Sequence, residues 1–360
     1  MVRDERLSEP DAERAAQAAR EACSRPVADV EPISKGINAI YRIEFADGER
    51  AVLKAATFNT AAELRAEPRI LSRLDRETEL PVPEVLAVAE DGGSLGVFHF
   101  LLDYCEGRQI RDLDRLSPDE QERLVRDAGR NLARLHEYQL DEVEGCGPLR
   151  MTDPEEDGNG REFTTGPDRD SWGDVFASLA DHPIQLVEQV ECGDDSGRFS
   201  DLVPDVVAAF EEVEEAVAEP ETPVVLHLDF RPDNFVLTPP DQKCRDDSAD
   251  ERPIRYVLDF GDPGVGDYRL DLAFAEDATI RVAMPGTERA DYLAELLRTA
   301  YARERGIDHG EIRNDSYPYY LLVQRARWMA VAMQWDEYDD PEEVERAYRS
   351  FVREQLAEIR

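Results

Sequence analysis

Lysine is nearly absent from this chain. Of 42 basic residues only Lys35, Lys54 and Lys243 are lysine, and the basic set faces 81 acidic side chains, a formal net charge of −39. Such a balance leaves no basic patch for a phosphate backbone or an anionic headgroup, which argues against nucleic-acid and membrane-surface partners. Long apolar runs are missing as well, with none near the ~20 residues that cross a bilayer. The opening "MVRDERLSEPDAERAA" is charged throughout and carries no apolar signal segment. The five cysteines, Cys23, Cys105, Cys146, Cys192 and Cys244, lie far apart, without the paired spacing of zinc or redox sites. Inert thiols in a reducing compartment follow. These absences predict a soluble, cytoplasmic protein. Dispersed acid with so little lysine fits a high-salt cytoplasm, where concentrated ions screen self-repulsion. Acidic patches therefore say little about substrate.

The chain still has the means to build a core. At 360 residues and 41% hydrophobic it exceeds one small core, so two lobes are expected. A leading helix reads over 11–23. "ISKGINAIYRIEFADGERAVLKAA" (33–56) alternates as three strands broken at Gly36/Asn38 and at Asp47-Gly48. A helix is predicted over 60–74, with Pro68 either kinking it or marking its first turn. Strands return up to residue 103. The expectation is a small five-stranded lobe with one helix over 1–103 and a mainly helical lobe over 104–360. In the latter, Ser117 caps a helix over 117–140, and 141–170 reads as a long loop. Helices follow at 171–180 and 200–217, a charged loop at 239–253, and three helices from about 285.

The most informative stretch is "HLDFRPDN" (227–234), set between the apolar runs "TPVVL" and "FVL". If "FVLT" pairs antiparallel with "RYVLDF" (255–260), Asn234 and Asp259 become neighbours although 25 residues apart. Asp229 lies close enough to face the same point. Oxygen ligands gathered at one strand edge suit a hard cation such as Mg²⁺, and a carboxylate beside it suits phosphoryl transfer.

"HLDFRPDN" followed by "LDFGD" resembles the catalytic and metal-binding motifs of the aminoglycoside phosphotransferase and choline kinase family, relatives of protein kinases. The resemblance implies an α+β, protein-kinase-like two-lobe fold and use of ATP or GTP with Mg²⁺. It makes Asp229 the catalytic base, Asn234 and Asp259 the Mg²⁺ ligands, and Asp271 of "YRLDLAFA" structural. Leu228 and Asp233 stand where glycines are common. Lys54, at the end of the third strand, matches the lysine that contacts the α- and β-phosphates. Its retention in a chain almost without lysine speaks against an idle edge residue. Glu67 is its expected partner, with Glu63 as the alternative. Gly36 would let the first turn approach phosphate. "LLDYCEG" resembles the hinge, so backbone groups of Asp103 and Cys105 should meet the base. His227 is expected to be a buried residue shaping the loop, and His136 to be packing. Arg231 and Asp233 read equally as phosphate contacts or as a solvated turn.

Only eleven residues separate Asp259 from Asp271, short for a peptide-docking activation segment. About 80 residues separate "LARLHEYQL" from "HLDF", enough to wall a small pocket. A small hydroxylated acceptor is therefore expected: an aminoglycoside, an amino alcohol or a sugar. The rival readings are a non-catalytic pseudokinase, which would be expected to lose one of Lys54, Asp229, Asn234 or Asp259, and a reduced protein kinase.

Overall fold

The computed structural model describes residues 12–33, 38–56, 64–111, 113–152, 161–165, 171–190, 199, 201–211, 213–239, 252–331 and 341–359. Gly36, Glu63, Lys35 and most of the 239–253 loop lie outside these residues.

The first helix, α1 (Ala12–Cys23), places Ala15, Ala18 and Ala19 on one buried stripe. Small side chains at this spacing let the helix sit close to a sheet. That sheet comprises β1 (Val27–Ile33), β2 (Ala39–Phe45), β3 (Arg50–Ala55), β4 (Val85–Ala89) and β5 (His99–Asp103). It is antiparallel in the order β1-β2-β3-β5-β4. The strand count was expected, but the first strand begins upstream, at Val27 rather than near residue 33. The single-helix expectation also needs correction. Besides α2 (Ala66–Glu77), α1 packs on this sheet.

Strand alternation gives the sheet two faces. Tyr41, Ile43, Phe45, Leu53 and Leu101 form a core with α1. On the other face Phe100 and Leu102 join Ile70, Leu71 and Leu74 of α2 in a larger core that continues into the helical part. Lys54 pairs with Phe100 across the sheet and shares its face. Pro68 sits in the first turn of α2, where its missing N–H costs nothing, so the helix is not kinked.

The next helix, α3 (Pro118–Glu137), begins as the sequence predicts. The Ser117 hydroxyl accepts from the Glu120 N–H while Glu120 accepts from the Ser117 N–H, a capping box. The expected loop 141–170 carries short strands β6 (Gly147–Pro148), β7 (Arg150–Met151) and β8 (Phe163–Thr164). Then come α4 (Trp172–Val190), α5 (Val203–Glu211), α6 (Val213–Ala216), β9 (Val224–Leu226), β10 (Phe235–Leu237), β11 (Ile254–Val257) and β12 (Gly264–Gly266). The chain closes with α7 (Tyr268–Glu276), a π-helical turn (Asp277–Arg281), α8 (Glu288–Arg305), α9 (Tyr317–Val331) and α10 (Pro341–Ile359). The three tail helices match the expectation. Both halves of the tight 227–261 region are fixed by short sheets: β10 pairs antiparallel with β11, and β12 lies between β6 and β9.

Candidate active site

The link between the sheet and the helical part crosses β10. Arg108 N–H donates to Leu237 O at 2.9 Å, and Leu237 N–H donates back to Arg108 O at 2.8 Å. This approach needs a glycine beside it, because a Cβ on Gly107 would lie 2.4 Å from Val236 Cγ1 and 2.5 Å from Leu237 O. The end of β5 is thereby tied to the strand that follows Asn234.

Pairing of Phe235 with Val257 puts Asn234 next to Leu258, whose N–H donates to Asn234 O at 2.8 Å. Asn234, within a 3₁₀ turn (Pro232–Asn234), donates its amide to Asp229 O at 2.8 Å and to Asp229 Oδ2 at 3.0 Å. The Asn234 side-chain nitrogen is thus committed, and its oxygen is the atom left for a cation. One residue beyond Leu258, Asp259 has φ +65°, a left-handed conformation that Asp tolerates better than most residues. Its Oδ1 lies 2.7 Å from Lys54 Nζ, and Lys54 Nζ lies 2.6 Å from Glu67 Oε2. A Cβ on Gly261 would stand 3.2 Å from Asp259 Oδ1 and 3.5 Å from Lys54 Nζ, so the glycine leaves this charged cluster its space.

Burial opposes the charge on Lys54, but the carboxylates of Glu67 and Asp259 outweigh it and hold the ammonium above the ordinary lysine range. Burial likewise pushes Glu67 up, against the pull of Lys54 and with Asp259 adding to the rise. For Asp259, burial is overcome by Lys54, and its carboxyl is held below the usual range. Burial pushes Glu67 to about 7, and when it is ionised one ammonium between two carboxylates leaves the cluster net negative. That is the setting in which a further cation is favoured.

The loop itself hangs on Asp271, fully buried in α7. Its Oδ2 accepts from His227 N–H at 2.7 Å and its Oδ1 from Leu228 N–H at 2.8 Å. Leu228 has φ +60°, so this chain meets with a strained leucine the conformation for which glycine is suited. His227 Nε2–H donates to Leu258 O at 3.0 Å, which leaves Nδ1 to accept from Asp229 N–H at 3.2 Å. His227 is the buried, loop-shaping residue expected. His136 does more than pack: its Nε2 meets Asp271 Oδ2 at 3.2 Å and its Nδ1 meets Tyr301 OH at 2.9 Å. Burial keeps His136 below the ordinary histidine range, so Nε2 donates to the carboxylate and Nδ1 accepts from the hydroxyl. The motif gave no signal for this pairing, because the partners are 135 residues apart.

The structure therefore brings Lys54, Glu67 and Asp259 into one ion-paired cluster and joins Asp229 to Asn234. Glu67 holds Lys54 directly, whereas Glu63 and Gly36 fall outside the described residues. Asp103 ends β5, and its N–H donates to Glu84 O at 2.9 Å. Half-buried Cys105 has its Sγ 3.9 Å from Asp103 O, with the thiol pushed up to about 12 by burial and by Asp103. Arg231 Nε lies 3.1 Å from Asp229 Oδ1 and its Nη1 lies 3.8 Å from Asp233 Oδ2, so Arg231 braces the loop.

Among the described residues no group of three or more His, Cys, Asp or Glu side chains could hold a metal ion. Two protein oxygens, from Asp259 and Asn234, suit the smaller demand of Mg²⁺, which takes one or two carboxylates together with substrate phosphates. No helix among the described residues is long and apolar enough to cross a membrane.

Several solved structures share this fold. An aminoglycoside phosphotransferase-like protein of Ralstonia eutropha aligns at TM-score 0.62 and 15% identity, covering 97% of this chain and 98% of its own. A thermostable mutant of the aminoglycoside phosphotransferase APH(4)-Ia, in a ternary complex with AMP-PNP and hygromycin B, aligns at 0.58 and 17%, covering 95% and 98%. A microcompartment-associated aminopropanol kinase aligns at 0.54 and 18%, covering 96% of each chain. No curated protein matches the chain by sequence. The two-lobe, protein-kinase-like α+β architecture is thus a shared one. Residues 29–307, which run from β1 through α8 and carry every described residue of the site, match the model of the phosphotransferase enzyme family, and the chain belongs to that family.

Proposed function

We propose that this chain transfers the γ-phosphate of ATP or GTP to a hydroxyl of a small molecule, such as an aminoglycoside, an amino alcohol or a sugar. The observation that carries this reading is the junction of two pairs. Lys54 and Asp259 meet at 2.7 Å, Asp229 and Asn234 at 3.0 Å, and the Leu258–Asn234 backbone bond joins the pairs. Residues up to Asp103 would form the nucleotide lobe, and those from Tyr104 onward the catalytic and acceptor lobe. The Asp103 carbonyl and the Cys105 N–H would meet the base edge, since the Asp103 N–H is already committed to Glu84.

Lys54 would hold the α- and β-phosphates while Glu67 keeps its ammonium aimed into the cleft. Asp259 and the Asn234 oxygen would hold Mg²⁺, which when bound neutralises charge on the phosphate oxygens. Asp229 would orient the acceptor hydroxyl and take its proton as the acceptor oxygen bonds to the γ-phosphorus and the bond to the β,γ-bridging oxygen breaks. The acceptor would lie toward α4 and β12. Behind them, in the core, Trp172 Nε1–H donates to Tyr320 OH at 2.7 Å, and Tyr320 OH donates to Asp267 Oδ2 at 2.9 Å, which ties α4 to α9. The short stretch from Asp259 to Asp271 supports a small acceptor over a peptide.

Three variants separate the roles. Asp229→Asn should lower turnover about 10²–10⁴-fold, the usual worth of a positioned base, while binding of a non-hydrolysable ATP analogue with Mg²⁺ survives. Asp259→Asn should weaken Mg²⁺-dependent nucleotide binding, and Lys54→Ala should impair turnover in a way that excess Mg²⁺ does not restore. Calorimetry and single-turnover assays, after an acceptor screen in molar KCl, read these outcomes. Wild-type turnover in Asp229→Asn would refute the assignment of the base.

A further inference from the structure

Away from the cleft, α3 and α8 leave between them a concavity of about 240 Å³. Four arginines line it: Arg126 and Arg130 one turn apart on α3, Arg303 on α8, and Arg252 just before β11. Leu296 and Ala300 of α8 give it an apolar edge. In a chain with a net charge of −39, four guanidinium groups around one hollow run against the whole surface. The single lining carboxylate, Glu304, is occupied elsewhere, accepting from Arg134 Nε at 3.1 Å and Nη2 at 2.8 Å. Arg126 lies 3.9 Å from Glu122. Arg252 and Arg303 are exposed and make no ion pair with a carboxylate among the described residues. Asp127, fully buried, accepts from Ile254 N–H at 2.9 Å; burial pushes it up to about 6 against the pull of Arg130, Arg134 and Arg252, so at neutral pH it offsets one of the positive charges and leaves the hollow net positive.

From this cluster we infer that the concavity between α3 and α8 binds a small phosphate-bearing organic anion. Guanidinium forks match phosphate oxygens two at a time, and the Leu296–Ala300 edge would take the organic part. A volume below the ~300–1,000 Å³ of drug-sized pockets favours a small anion over a whole nucleotide. The site is separate from the cleft. Arg252 and Asp259 flank β11 at opposite ends, about 20 Å apart at ~3.3 Å per residue. It also stands independently of the reaction proposed above.

Calorimetric titration with glycerol 3-phosphate and with pyrophosphate, at constant ionic strength and with the cleft filled by a non-hydrolysable ATP analogue, tests it. One saturable site is expected. It should weaken at least about tenfold in Arg303→Glu and in Arg252→Glu, the scale of one charge-assisted contact. Without the analogue, this site should persist in Lys54→Ala. Both arginines are exposed, so thermal melts should show an intact fold, and Arg303→Gln and Arg252→Gln serve if the charge reversals disturb it. No saturation in the wild type, loss of all binding in Lys54→Ala, or wild-type affinity in the arginine variants would each overturn the inference.

Discussion

Asp271 shows how one residue sets the loop. It makes no hydrogen bond to Lys54 or Asp259, yet its carboxylate holds two consecutive N–H groups, of His227 and Leu228. The second of these belongs to a leucine in the left-handed region, where an L side chain costs roughly 1–2 kcal/mol. Asp271→Asn keeps the shape but offers one accepting oxygen in place of two. It should destabilise the fold by about 2–3 kcal/mol, the worth of charge-assisted hydrogen bonds. If Asp271 offsets strain at Leu228, the loss should shrink by about 1 kcal/mol in the background of Leu228→Gly. Urea melts of the two single variants and the double variant measure this, and strict additivity would show the strain to be irrelevant.

Among the elements, the helical half is pinned where α7, its π-helical turn, α8 and α9 meet at Glu276. This fully buried carboxylate accepts from Arg281 Nε at 2.7 Å, from Arg298, and from Tyr317 OH at 2.9 Å. Burial alone would raise it, but Arg298 and Arg281 prevail and bring it down to about 2. The folded state thus holds this group below its ordinary 4.5. Its stabilisation is complete above about pH 4.5 and is lost as pH falls through about 2. Urea midpoints measured from neutral pH down to 2 should fall steeply in the wild type. In Glu276→Gln, with Arg298 left only Glu295 and Arg281 only Asp291 as carboxylate partners, they should start lower and decline more gently. Equal slopes would refute it. These pairings could not be read from the sequence, since Glu276, Arg298 and Tyr317 meet only through tertiary packing. Local signals fared better. Ser117 announced α3, the Asp47-Gly48 turn marked the β2–β3 hairpin, and alternation placed Lys54 on the sheet. Alternation misled at β1, whose "VADVEPI" carries two charges and no regular apolar period, and α1 gave no hint that its alanines would cover a sheet face. The Lys54–Glu67–Asp259 cluster was legible because its members sit in short motifs. The arginine hollow was not, because residues 126, 130, 252 and 303 are joined only by the fold.

For the molecule as a whole, charge dominates. With 81 acidic against 42 basic residues, unscreened repulsion should weaken the fold, and a Debye length falling from ~10 Å at 0.1 M salt to ~3 Å at 1 M should relieve it. The thermal midpoint should rise by more than about 5 °C from low to molar KCl, roughly 4 kcal/mol for a chain of this size. A flat KCl series would count against self-repulsion as the controlling force. The same composition leaves ion pairing almost wholly to arginine, as where Arg73 joins Glu142 at 2.7 Å and Glu162 at 2.6 Å. Lysine scarcity has a further outcome for chemical probing. Acylating reagents consume neutral amines, and the one described lysine is buried and held as an ammonium between two carboxylates. Lys54 should therefore resist modification while the cleft is intact. Whatever parts it from Glu67 and Asp259 should appear as label on a single peptide, against a background almost free of competing sites.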